Sequence, residues 1–120
     1  MDIQMHHRRG INIAEVMGEG VLLRSGQDVL DLLAHLYGSE ARRILLREEQ
    51  FDPAFFDLRT GVAGDITQKF VNYHLKVAIV GDFEKYSSKA LADFIREANQ
   101  GKQLFFTASV SEALARLALS

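Results

Sequence analysis

Apolar residues along the chain alternate between short continuous runs and stripes at helical spacing. Ile11, Ile13, Ala14 and Val16 lie in a partly alternating run that predicts a strand over 11–16. Gly18-Glu-Gly20 then turns the chain, and Val21-Leu-Leu23 supplies a second short strand over 21–24. So brief a link implies an antiparallel hairpin. Ser25 is placed to cap a helix over 26–37, with Asp28 in its first turn and Val29, Leu32, Leu33 and Leu36 on one face. Gly38 is placed to end it in a left-handed conformation. Arg43-Ile-Leu-Leu46 reads as a buried strand over 43–47. A polar connection with the only proline, Pro53, follows. Val62, Ile66, Phe70 and Tyr73 then mark one face of a second helix over 60–74.

Val77-Ala-Ile-Val80 is the clearest strand, predicted over 77–81. Continuous apolar strands are usually covered on both faces, as in parallel sheets. Leu91, Phe94, Ile95 and Ala98 mark a third helix over 87–99, and Leu104-Phe-Phe106 a last strand over 103–107. Ser109-Val-Ser-Glu112 matches a capping box and opens a helix over 110–118. The order β-β-α-β-α-β-α-β-α predicts an α/β fold: a mixed, mostly parallel five-stranded sheet with four helices and right-handed crossovers. No linker or repeat divides residues 1–120, so one domain is expected, with 1–9 as a flexible arm. Ile44, Leu46, Ile66, Phe70, Ala78, Val80, Phe94 and Phe105 are the expected core.

Charge and composition act mainly by exclusion. Lys and Arg total 14 against 16 Asp and Glu, a formal net charge of −2. Nucleic-acid binding usually needs a clearly basic surface, and His6-His7-Arg8-Arg9 is the only basic cluster, so no nucleic-acid partner is expected. The absence of cysteine removes disulfides, thiolate chemistry and Cys-based zinc sites. The remaining histidines, His35 and His74, do not complete a metal-ligand spacing, and both are expected to be exposed. No metal or other cofactor is expected. No stretch approaches the ~20 apolar residues of a membrane span, and the first ten residues lack a signal-peptide core. These observations point to the cytoplasm and away from a membrane partner.

The candidate chemistry gathers around the start of the second helix. Asp57, Arg59, Thr60 and Gly61 follow a strand end and precede that helix, where backbone N–H groups and the helix dipole favour anions. Arg59 would add a bidentate grip. In the plainer alternative, Thr60 caps the helix and Asp57 pairs with Arg59. Asp82 follows a parallel strand at the same edge, where open α/β sheets bind ligands, with Lys85 and Tyr86 on the rim. It is also a routine turn residue. Gly61 and Gly64 suggest either a close backbone approach or tight helix–sheet packing. No phosphate loop, dinucleotide fingerprint or Gly-x-Ser-x-Gly elbow occurs, and no residue is assigned as catalytic. Glu15 and Glu19 do not form the acidic pair of a receiver domain.

The runs Phe55-Phe-Asp-Leu-Arg-Thr-Gly-Val-Ala-Gly-Asp65, Gln68-Lys-Phe-Val-Asn-Tyr73 and Ala78-Ile-Val-Gly-Asp-Phe83 resemble an uncharacterised bacterial family, domain of unknown function 4180. The resemblance extends from about Gly10 to Leu117 and implies no activity. The element order is also similar to that of STAS domains, the anti-sigma-factor antagonist type. In that family an Asp-Ser-Ser-Gly-like turn carries a phosphorylated residue before its glycine. Here Asp57-Leu-Arg-Thr-Gly61 sets Thr60 at that place, while Leu58 and Arg59 depart from the pattern. This resemblance implies a non-catalytic regulatory module that binds a protein partner or a small anionic ligand. The alternatives are a small enzyme or anion-binding protein using Asp57, Arg59 and Asp82 in one cleft, and a self-associating homo-oligomer.

Overall fold

The computed structural model describes residues 1–120. One sheet holds β1 (Asp2–Arg8), β2 (Ile11–Met17), β3 (Arg43–Arg47), β4 (Lys76–Val80) and β5 (Leu104–Thr107), side by side in chain order. β1 runs antiparallel to β2, and every other pairing is parallel. The helices are α1 (Gly26–Leu36), α2 (Val62–Asn72), α3 (Lys89–Gln100) and α4 (Val110–Leu119). No helix is long and apolar enough to cross a membrane. The α/β fold with a mixed, mostly parallel five-stranded sheet and four helices is as the hydrophobic pattern predicts.

Stepping always to the adjacent strand with right-handed crossovers places successive helices on one face. Accordingly, Val29, Leu32, Ile66, Phe70 and Leu91 of α1–α3 pack on Ala14, Val16, Ile44, Leu46, Val77 and Ile79. α4 follows the last strand and folds over the opposite face. Ala113, Leu114 and Leu117 cover Ile13, Leu45, Ala78 and Phe105 there. Both faces of β3 and β4 are therefore buried, which explains their unbroken apolar runs. Six of the eight expected core residues are buried, while Val80 and Phe94 at the margin are half-buried.

Two expectations are corrected. Residues 1–9 are not an arm, because Asp2–Arg8 pair with Ile11–Met17 along their whole length. The hairpin turn is Arg9-Gly10, with φ of 53° and 78°. Two successive left-handed residues suit a two-residue loop. Residues 21–24 are not a sheet strand. β1 and β3 already occupy both edges of β2, so Leu22 and Leu23 donate their N–H groups to the Gln50 carbonyl (2.7 and 3.0 Å). Only Leu23 forms a bridge, with Phe51.

The helix ends follow local chemistry. Ser88 Oγ accepts from Leu91 N–H and Ser109 Oγ from Glu112 N–H, both at 3.1 Å. Ser25 stands at the start of α1 but makes no such bond. Instead Asp65 of α2 reaches across and accepts from Gly26 N–H at 2.7 Å. Gly38, with φ of 88°, ends α1 as expected.

Candidate functional site

β3 and β4 run parallel with Arg47 opposite Val80, so the next residues, Glu48 and Gly81, emerge side by side at the carboxyl edge of the sheet. Glu48 turns into a single 3-10 turn, Glu48–Gln50, and its carboxylate is largely enclosed. It accepts a hydrogen bond from the Tyr86 hydroxyl and one from Asp82 N–H at 3.1 Å, and it pairs with Lys85 Nζ at 2.8 Å. Phe56 stacks on Tyr86 with ring centroids 5.1 Å apart. Beside them opens a cleft of about 340 Å³ with Val21, Phe51, Pro53 and Phe56 on its walls and Glu48, Glu49, Lys85 and Tyr86 at its rim.

Burial pushes the Glu48 carboxyl up, but hydrogen bonds from Lys85, Tyr86 and Asp82 N–H, together with the Lys85 charge, outweigh it. The group sits below the ordinary glutamate value. Burial and the Glu48 carboxylate both push the Tyr86 hydroxyl well above the ordinary tyrosine value. The Glu48 hydrogen bond raises the Lys85 ammonium as well.

A second carboxylate lies one strand over. Glu15 of β2 accepts from His6 Nε2 at 2.7 Å and Arg47 Nη2 at 2.5 Å. Burial raises its carboxyl, and the two partners more than reverse that shift. Gln50 is fully buried and joins the two regions. Its Nε2 donates to the carbonyls of Val16 (3.0 Å) and Gly18 (3.3 Å), and its Oε1 accepts from Arg47 N–H (2.8 Å).

The turn singled out from sequence has a plainer geometry. Gly61, with φ of 79°, is the residue just before α2, so Asp57, Arg59 and Thr60 do stand at that helix's entrance. The Arg59 guanidinium lies bidentate on Asp57, both bonds 3.0 Å, with the Arg59 side chain 91% exposed. The Arg59 hydrogen bonds lower the Asp57 carboxyl. Thr60 Oγ1 donates to the carbonyls of Ala54 and Asp57 (2.7 and 2.8 Å) and accepts from Val62 N–H (3.2 Å). The exposed Asp82 caps Glu84 N–H at 3.3 Å. No hydrogen bond or ion pair joins Asp82 to Asp57 or Arg59, and none of the three lines the Glu48 cleft. A Cβ on Gly64 would meet nothing within 4 Å, so neither close approach nor tight packing accounts for that glycine.

At the opposite edge, a cleft of about 450 Å³ gathers Arg42, Arg43, His74 and Lys76 around the single acid Glu40. Glu40 and His74 both hold left-handed backbone, with φ of 62° and 57°. A larger groove of about 540 Å³ beside α4 is mostly apolar and has no converging set of polar groups beyond Arg8, Arg9 and Ser111.

Glu48, Glu15 and Gln50 were missed by sequence reasoning. The signal was available for Glu48: an acid directly after a buried strand, the same pattern that marked Asp82. Fold and site together define a small, mainly parallel α/β domain with a carboxyl-edge cleft in which Glu48 and Lys85 form an ion pair. Residues 8–117 match the family described as Domain of unknown function (DUF4180), and the chain belongs to that family. Neither a curated protein nor a solved structure matches it.

Proposed function

We propose that this chain is a non-catalytic, cytoplasmic interaction module of regulatory type, with the Glu48 cleft as its binding surface. One observation carries the reading: Glu48, Lys85 and Tyr86 at the rim are bonded to one another and displaced away from neutrality, which leaves Glu49 as the rim's one charge without an ion pair. Glu48 is lowered, while Lys85 and Tyr86 are raised. General acid–base catalysis works best with a group poised near the working pH. The fixed apolar walls suit an aliphatic or aromatic side chain presented by a protein segment. The similarity of the element order to STAS domains supports the same class of role. A partner captured by the wild type should be lost on Val21→Arg, which fills the cleft, and kept by Arg59→Ala. The reverse pattern would move the surface to the entrance of α2.

A second reading, anion binding, is favoured by the opposite edge. Neither Arg42 nor Lys76 forms an ion pair or a side-chain hydrogen bond within the chain, and both line one cleft with Arg43, whose Nη2 donates to the Ser120 main-chain oxygen at 2.8 Å. Titration calorimetry with tripolyphosphate tests it. Saturable binding abolished by Arg42→Ala with Lys76→Ala supports this reading, and heat that does not saturate rejects it.

A further inference from the structure

We infer that β1 is a self-complementary interface, through which two copies of this chain pair antiparallel about Met5 into one continuous ten-stranded sheet. β1 is the outermost strand, and its pairing with β2 runs unbroken from Asp2 to Arg8. The two-residue turn at Arg9-Gly10 makes Arg8 and Ile11 a hydrogen-bonded pair. Alternation then directs the backbone groups of Asp2, Gln4, His6 and Arg8 toward β2, and those of Ile3, Met5 and His7 outward. No backbone hydrogen bond outside the sheet engages residues 2–8. The one side-chain contact on these outward groups is the exposed Arg8 guanidinium on the His7 carbonyl, at 3.3 Å.

Exposed edges are normally protected by proline, charged side chains, a bulge or shortness. β1 has no proline or bulge and is seven residues long, and its two charges, Asp2 and Arg8, are opposite in sign, whereas β5 at the other edge has only four residues. The sequence also suits itself. With Met5 opposite Met5 of the second copy, Ile3 faces His7 and each facing pair of outward residues exchanges two hydrogen bonds. On the other face of the ribbon, Asp2 falls opposite Arg8, and by symmetry Arg8 opposite Asp2. Met5, 44% exposed in the single chain, becomes covered at the two-fold axis. A shift by one residue sets outward groups against inward ones and forms no ladder. A shift by two keeps a ladder but shortens it and loses both Asp2–Arg8 pairs. Charge and hydrogen bonding therefore select the same register. This differs from the cleft on the sheet's carboxyl edge, so one molecule can use both surfaces.

Sedimentation equilibrium over a dilution series tests the interface. The wild type should be a dimer. Asp2→Arg and Arg8→Asp should each raise the dissociation constant about tenfold or more, because two attractive cross-strand pairs become repulsive. The double variant, with Asp2→Arg and Arg8→Asp together, should recover wild-type affinity. Met5→Pro removes an outward N–H and should give monomers. Asp2 and Arg8 are exposed, so circular dichroism of the charge variants should match wild type, as should unfolding curves recorded at dilutions where every form is monomeric. A wild type that is monomeric throughout overturns the inference. So does a dimer indifferent to the single charge reversals, or one that the double variant does not restore.

Discussion

Gly81 and Glu48 stand so close that a Cβ on residue 81 would lie 2.6 Å from both Cβ and Oε1 of Glu48. The same Cβ would meet Phe83 Cζ at 2.9 Å. The glycine thus makes room for a carboxylate that holds Tyr86, Lys85 and Asp82 N–H in place. Gly81→Ala should destabilise the fold by about 1–3 kcal/mol, as overpacking does. Urea unfolding measures it. Trimming the neighbour with Glu48→Ala should make the pair of changes non-additive. Strict additivity would show that the crowding at Glu48 is not the cause.

Acid should destabilise the protein through Glu15 and Glu48. Each has a folded-state value below the ordinary 4.5 because hydrogen-bonded partners outweigh burial. A lowered carboxyl contributes stability that is present above the unfolded-state value and lost as pH falls through the folded-state value. Stability should therefore begin to drop near 4.5 and continue downward. Glu15→Gln and Glu48→Gln should each flatten that slope in unfolding measured as a function of pH. A double variant with the wild-type slope would mean that other carboxylates control acid sensitivity.

Phe70 lies between α2 and the sheet and is 2% exposed. Phe70→Ala should cost about 3–5 kcal/mol. That is a large share of the roughly 5–15 kcal/mol available to a domain of ordinary stability. Thermal unfolding is the measurement, and a melting temperature within a few degrees of wild type would contradict it.

What the sequence conveyed, and what it hid, follows from burial. β3 and β4 were legible because both of their faces are covered, which forces an apolar residue at every position from Ile44 to Leu46 and from Val77 to Ile79. β1 was not: Asp2-Ile-Gln-Met-His6 does alternate, but an edge strand with largely exposed faces needs only two apolar residues, Ile3 and Met5, within an otherwise polar run. Val21-Leu-Leu23 has strand composition, yet Leu23 is buried against a loop rather than paired in the sheet. The site shows the same asymmetry. Local features such as Asp57–Arg59 and the Gly61 turn are short-range and could be read. Glu48 meets Tyr86 across 38 residues through the loop after β4, and Glu15 meets Arg47 across 32 through the pairing of β2 with β3.

Arg59 gives the sharpest separation between a local structural role and a binding role. Its side chain is 91% exposed, so its stem adds little packing, and exposed ion pairs contribute little to stability. Asp57 Oδ1 also accepts from Arg59 backbone N–H at 3.2 Å, a bond that survives loss of the guanidinium. Arg59→Ala should therefore leave the melting temperature unchanged within error. Asp57→Ala removes the carboxylate from that N–H as well and should lower it. With the cleft as the binding surface, Arg59→Ala should also keep the partner that Val21→Arg loses. Measuring unfolding and partner affinity on both variants decides the matter. Lost affinity at full stability in Arg59→Ala would place the working surface at the entrance of α2. A marked drop in its melting temperature would instead show that the Asp57–Arg59 pair holds the turn together.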